Sequence, residues 1–163
     1  DNCRNTTEIH NLAYKFYQGE WVNPPENPGA AIKQISSSSM QYQAKDIALE
    51  INNLITNENI KPEDISILIL HSKGKKIKSN LITSEPLTGS NNWIIEGFQG
   101  KNTVLIDTVK RYKGLESEIV FLWGIDDIDL SLLGDLLYVG ISRAKSILYL
   151  VGSNHNCEKI LRM

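Results

Sequence analysis

The feature that most constrains the fold is a set of short, largely apolar runs spread over 163 residues: 65–70, 103–109, 119–123 and 147–151. A strand with one solvated face alternates apolar and polar side chains. An unbroken run such as Ile65-Ser-Ile-Leu-Ile-Leu70 suits a strand covered on both faces. Between the runs the period changes. From Met40 to Asn57, the residues Ala44, Ile47, Ala48, Ile51, Leu54 and Ile55 trace one helical face, with Ser38 or Ser39 placed to cap it. Ile9, Leu12, Ala13, Phe16 and Tyr17 predict a helix over 7–18, capped by Thr6 or Thr7 and stopped by Gly19. Weaker patterns predict a strand over 30–36, a helix near 76–82, a strand near 93–95, a helix over 129–143 and a helix beginning within 154–163, with the proline-rich stretch 21–29 as a loop. Apolar strands alternating with helices predict a parallel α/β sheet with helices on both faces. No repeat and no strong interior break divides the chain, so a single domain over 1–163 is expected.

Composition narrows the function classes. A hydrophobic fraction of 41% and a charged fraction of 22% are ordinary for a globular domain with its own core. No run approaches the ~20 apolar residues of a membrane span, and no signal peptide opens the chain. A net charge of −2 argues against broad charge-driven binding of nucleic acid, leaving that job to a local cluster. Cys3 and Cys157 form no disulfide framework and read as free thiols in a reducing, cytoplasmic setting. His10, His71 and His155 share no ligand spacing, so no metal site is expected. Asp126, Asp127 and Asp129 lack a calcium-loop pattern and read as a solvated loop and a cap. Lysines 73, 75, 76 and 78 read as a solvated face. Trp93 and Trp123 read as core or interface residues, although an exposed Trp93 would suit base stacking.

Two stretches carry chemistry. The first is Thr108-Val-Lys-Arg-Tyr-Lys-Gly-Leu-Glu116, between two apolar runs and expected near the carboxyl ends of strands, where α/β sheets place ligand sites. Gly114 permits close backbone approach, and the Glu116 carboxylate can accept hydrogen bonds from a hydroxyl. The second is Leu137-Tyr-Val-Gly-Ile-Ser-Arg-Ala-Lys145. Alone, Arg143 would read as a cation at a helix C-terminus. Its planar, permanently charged fork also suits phosphate oxygens. A third, shorter stretch is Asn2-Cys-Arg-Asn-Thr6 at the start of the chain.

In this order, the three stretches resemble motifs of the C-terminal RecA-like domain (2A-type) of superfamily 1 helicases of the UvrD/Rep kind. The resemblance implies a RecA-like, P-loop NTPase-like sheet lacking its own phosphate loop. It implies that Arg143 and Arg4 reach the γ-phosphate of ATP as arginine fingers, worth ~10³–10⁵ in rate, and so converge on a single face. Glu116 would bind the ribose beside Gly114, and Thr108 and Lys110 would line the path of single-stranded DNA or RNA. The family usually has histidine where this chain has Lys110, and tyrosine where it has Cys3, so strand contact is altered and adenine stacking is in doubt. Only about 32 residues separate Leu70 from Thr103, so the large inserted 2B subdomain is missing or tiny.

The chain contains no Gly-x-x-x-x-Gly-Lys-Ser/Thr loop and no acidic motif for magnesium. Two arginines and a glutamate cannot split ATP unaided. The resemblance therefore implies that ATP and Mg²⁺ are held mainly by an N-terminal RecA-like domain of a longer parent, with Asp1 falling inside a motif. Two rival readings remain: a degenerate helicase-like binding module without ATPase activity, and an unrelated doubly wound enzyme. The second lacks a convincing acid–base or nucleophile set.

Overall fold

The structure is a computed structural model and describes residues 6–14, 32–112, 115–127, 129 and 134–162. Its helices are α1 (Thr7–Tyr14), α2 (Met40–Asn57), α3 (Lys75–Thr83), α4 (Gly134–Ser142) and α5 (Asn154–Leu161). Its strands are β1 (Lys33–Ser36), β2 (Ile65–Ile69), β3 (Asn92–Ile95), β4 (Thr103–Thr108), β5 (Ser117–Trp123) and β6 (Ala144–Gly152). All pair in parallel, in the order β1-β6-β5-β2-β4-β3. The expected parallel α/β sheet with helices on both faces is what forms.

Strand parity divides the core. Ile65, Ile67 and Ile69 of β2 join Phe121 and Trp123 of β5 against α2 and α3. Leu68, Val120, Leu122, Leu148 and Leu150 join α1, α4 and α5 on the other face. Ser39 caps α2, its hydroxyl accepting from Tyr42 N at 3.4 Å. The helices from β1 to β2 and from β2 to β3, moving toward the β3 edge, cross on the α2/α3 face, and the helix from β5 to β6, moving the other way, crosses on the α4 face, as crossovers of a single hand require.

Several expectations shift. The helix expected over 7–18 is described as far as Tyr14, its remainder lying outside the described residues; the strand expected over 30–36 begins at Lys33, with Ile32 described but not in the strand and 30–31 outside the described residues. The helix expected from Asp129 is described from Gly134, and Asp129 itself is not helical. Lys78 is not solvated. It is 1% exposed, and its Nζ lies 2.6 Å from Asp127 Oδ2, 49 residues away, and 5.7 Å from the Trp123 ring centroid. Burial of a cation is tolerated only with such a partner.

Nor are Asp126 and Asp127 a merely solvated loop. Asp126 accepts from Ser153 N, Asn156 Nδ2 and Gln43 Nε2, tying the end of β5 to α5 and α2. Burial raises its pKa, but the hydrogen bonds from the Ser153 backbone, Asn156 and Gln43 outweigh burial and hold the carboxyl below its ordinary value. A carboxyl lowered in the folded state contributes stability that is present above its unfolded pKa, about 4, and is lost as pH falls through the folded value. Asp126→Asn should therefore flatten this part of the acid loss, seen as a weaker pH dependence of the urea midpoint below about pH 4.

Trp123 is fully buried, and Trp93 is half-buried with its Nε1 donating to Glu85 O at 2.9 Å. Among the described residues, no helix is long and apolar enough to cross a membrane.

Candidate functional site

The expected site residues fall on two opposite edges of the sheet. Thr108 ends β4, and Lys110 follows it, so both lie at the carboxyl edge. Glu116 immediately precedes β5, and Arg143 immediately precedes β6, which puts both at the amino edge. The expected placement of Glu116 near the carboxyl ends of strands is therefore corrected. The physical reason is topological. β4 and β5 are parallel with β2 between them, so the connecting segment must travel back the full length of the sheet before β5 begins. For a seven-residue strand the two edges are roughly 20 Å apart. Arg4 and Gly114 lie outside the described residues, as does the expected convergence of Arg4 with Arg143.

Backbone pairing fixes the amino edge. Ser117 and Ala144 are partners in the β5–β6 ladder, so Glu116 and Arg143 each precede one member of a matched pair. Ser117 N donates to Arg143 O at 2.9 Å, and the Arg143 side chain returns across the gap, Nη1 donating to Leu115 O at 3.1 Å. Tyr112 is buried, and its hydroxyl donates to Glu116 O at 2.9 Å. Glu116 is thus gripped by the crossover on one side and the β6 start on the other. Arg143 Nε is buried without a hydrogen-bond partner, a donor left unsatisfied in the folded chain.

Beside Glu116 lies a cavity of about 290 Å³ lined by Glu63, Asp64, Gln99, Tyr112, Glu118 and Lys145. Glu118 accepts from Ser146 Oγ and pairs with Lys145 Nζ at 3.3 Å. The Ser146 hydrogen bond, helped by Lys145 and opposed by burial, holds its carboxyl below the usual value. Four carboxylates against one lysine make this pocket a receiver of hydroxyl or amine donors. The same excess of negative charge repels phosphate.

At the carboxyl edge, Thr108 is 4% exposed, and its Oγ1 accepts from Arg111 N at 3.2 Å. It holds the turn that projects the exposed Lys110. Asp107 Oδ1 accepts from Arg111 Nε at 3.2 Å, and Glu96 bridges Arg111 and Lys75. Thr108 and Lys110 share a small cleft with Leu70, His71, Ser72 and Leu136. Sequence reasoning set His71 aside because it had weighed histidines only as metal ligands. Its position directly after the apolar run 65–70 was the usable signal, since loops at carboxyl ends of strands carry ligand contacts. Among the described residues, no group of His, Cys, Asp and Glu is arranged to hold a metal ion.

Residues 103–151, the stretch from β4 through β6, match the profile of the UvrD-like helicase C-terminal domain. The matched stretch contains Thr108, Lys110, Glu116 and Arg143. Among solved structures, the chain is similar to the C-terminal domain of a possible DNA helicase from Lactobacillus plantarum WCFS1. The likeness has a TM-score of 0.72 at 14% identity and covers 92% of this chain and 86% of that one. At that identity it speaks for the fold. No curated protein matches the chain.

Proposed function

We propose that this chain is the C-terminal motor domain of an ATP-dependent superfamily 1 DNA helicase or translocase. Its amino edge completes an ATP site built by an N-terminal RecA-like domain of the same parent, and its carboxyl edge grips single-stranded DNA. The observation that carries the reading is the paired seating of Glu116 and Arg143 on one edge, with Thr108 and Lys110 on the other. Such a domain can hold nucleotide and strand at once, and movement at one edge is transmitted through a rigid sheet to the other.

Arg143 takes the phosphate end of the nucleotide, where its unsatisfied Nε finds an acceptor. Glu116 takes the ribose, and the acidic pocket around it keeps phosphates on the arginine side. Arg4 and Gly114 keep the roles the resemblance implies. Mg²⁺ finds no ligand set among the described residues and is assigned, with the bulk of the ATP contacts, to the partner domain. The rival reading is a binding module without turnover, which the departures at Cys3 and Lys110 favour.

Strand-stimulated ATP hydrolysis by the full-length protein separates the two. Stimulated turnover supports the motor, whereas strand binding with no turnover supports the module; the isolated chain is expected to show negligible turnover in either case. Glu116→Ala should raise KM for ATP by about tenfold with kcat largely kept, because a ribose contact exists equally in ground and transition states. A fall in kcat with KM unchanged would remove Glu116 from ribose binding.

A further inference from the structure

The sheet ends in a short strand on each side, and the two are not equally protected. An edge strand offers unpaired backbone groups to other chains, and folds usually blunt it with charge or proline. β1 carries Lys33. β3, Asn92-Trp-Ile-Ile95, carries neither charge nor proline. Asn92 N donates to Asn102 O and Glu96 N donates to Ile106 O, both at 2.9 Å. Backbone groups alternate in direction along a strand, so the N–H and C=O of Trp93 and Ile95 point away from β4. Among the described residues nothing pairs with them.

Beside this edge lies a cleft of about 330 Å³, lined by Ile95 and by Ser72, Lys75, Lys76, Ser79 and Asn80 of α3 and the turn before it. Ile95 is the ladder partner of Ile106, whose side chain lies in the α2/α3 core, so Ile95 turns toward α3. It is 45% exposed and gives the cleft an apolar wall. Ser79 stands opposite in character. It is 4% exposed, and its Oγ is buried without a hydrogen-bond partner. Buried hydroxyls are rarely left so. The cleft is the place from which an acceptor could reach it.

Charge narrows the occupant. Glu96 is already shared by Lys75 and Arg111. Lys76 is exposed and has no ion-pair partner among the described residues. This end of β3 is therefore short of negative charge.

We propose that β3 receives an extended acidic segment of a partner protein as a seventh strand, with one glutamate of that segment seated in the cleft. The glutamate methylenes lie on Ile95. Its carboxylate accepts from Ser79 Oγ and pairs with Lys76. Backbone pairing supplies the affinity, and the cleft supplies the choice of side chain. A second copy of this chain fits poorly, because its β3 brings no acidic residue.

The probe is a fluorescein-labelled octapeptide that alternates threonine and glutamate, which puts every glutamate on one face of a strand. It should bind the full-length protein saturably, more weakly as salt rises, and slow hydrogen exchange at the Trp93 and Ile95 amides. Ser79→Ala removes only an unbonded hydroxyl, so it should keep the wild-type urea midpoint and weaken binding about tenfold. Lys76→Glu should weaken binding at least as much, as should glutamine in place of glutamate in the peptide. Ile95→Pro removes an amide that β4 does not use and should abolish most binding. Should the proline variant fail to fold, the other variants and the two amides decide alone. The proposal is overturned if the peptide does not bind, if it binds with both amides unprotected, or if Ser79→Ala and Lys76→Glu bind it as wild type does. Self-association of the full-length protein that Ile95→Pro abolishes would also overturn it, since a second copy would then occupy the edge.

Discussion

In the full-length protein, Arg143→Ala should reduce strand-stimulated ATP turnover by about 10³-fold or more, the loss typical of an arginine finger. Strand binding without nucleotide should persist, because Thr108 and Lys110 lie on the opposite edge, roughly 20 Å away. The variant should also fold. Among the described residues the guanidinium makes one hydrogen bond, to the Leu115 carbonyl, and Leu115 is exposed. Water can replace that donor, so the stability lost is about 1 kcal/mol. Arg143→Lys should recover little turnover. A lysine keeps the charge but cannot hold the Leu115 carbonyl with one nitrogen while offering others to a phosphate. Steady-state ATPase with a saturating single strand, set beside the urea midpoint, separates the two effects. Turnover unchanged in a folded Arg143→Ala would remove the arginine from the chemistry and favour the module without ATPase activity.

The fold was legible where local pattern and tertiary need agree. Ala44 through Ile55 mark one face of a helix, Ser39 marks its start, and the helix forms from Met40 to Asn57 as that pattern requires. The run Ile65–Leu70 reads as a strand covered on both sides because both sides are in fact covered. What stayed hidden depended on strand order. Nothing local in Lys113–Glu116 says that β5 will pair with β6, and only that pairing seats Glu116 beside Arg143 at the amino edge. The closeness of His71 to Thr108 and Lys110 was hidden too, since β2–β4 pairing brings them together. Lys78 was disguised by composition. Three other lysines nearby suggested a solvated face, yet Lys78 stands four residues before the buried Ile82, on the same side of α3. Its partner Asp127 is 49 residues away in the chain, beyond any periodicity.

Lys78→Ala should destabilise the chain by about 3 kcal/mol, among the larger effects of a single substitution on this fold. The ion pair and the Trp123 contact replace the water that Lys78 gives up on burial. Removing the lysine leaves Asp127 without its counter-charge and opens a void beside Trp123. Asp127 keeps some access to water, with its side chain 25% exposed, which places the loss at the lower end of the range for broken buried pairs. Asp127→Ala should cost more, because it leaves the cation at the 1%-exposed site with no partner. Joining Lys78→Met to Asp127→Asn should recover most of the stability, since a pair replaced by groups of similar shape leaves no uncompensated charge. Gly74→Ala provides an independent check. Its φ of −86° accommodates any residue, so its cost would come only from driving Lys78 Nζ and Asp127 Oδ2 apart. Urea unfolding at constant m-value measures all four variants on one scale. Should Lys78→Ala and Gly74→Ala both unfold at the wild-type midpoint, the ion pair contributes nothing to the stability of the fold.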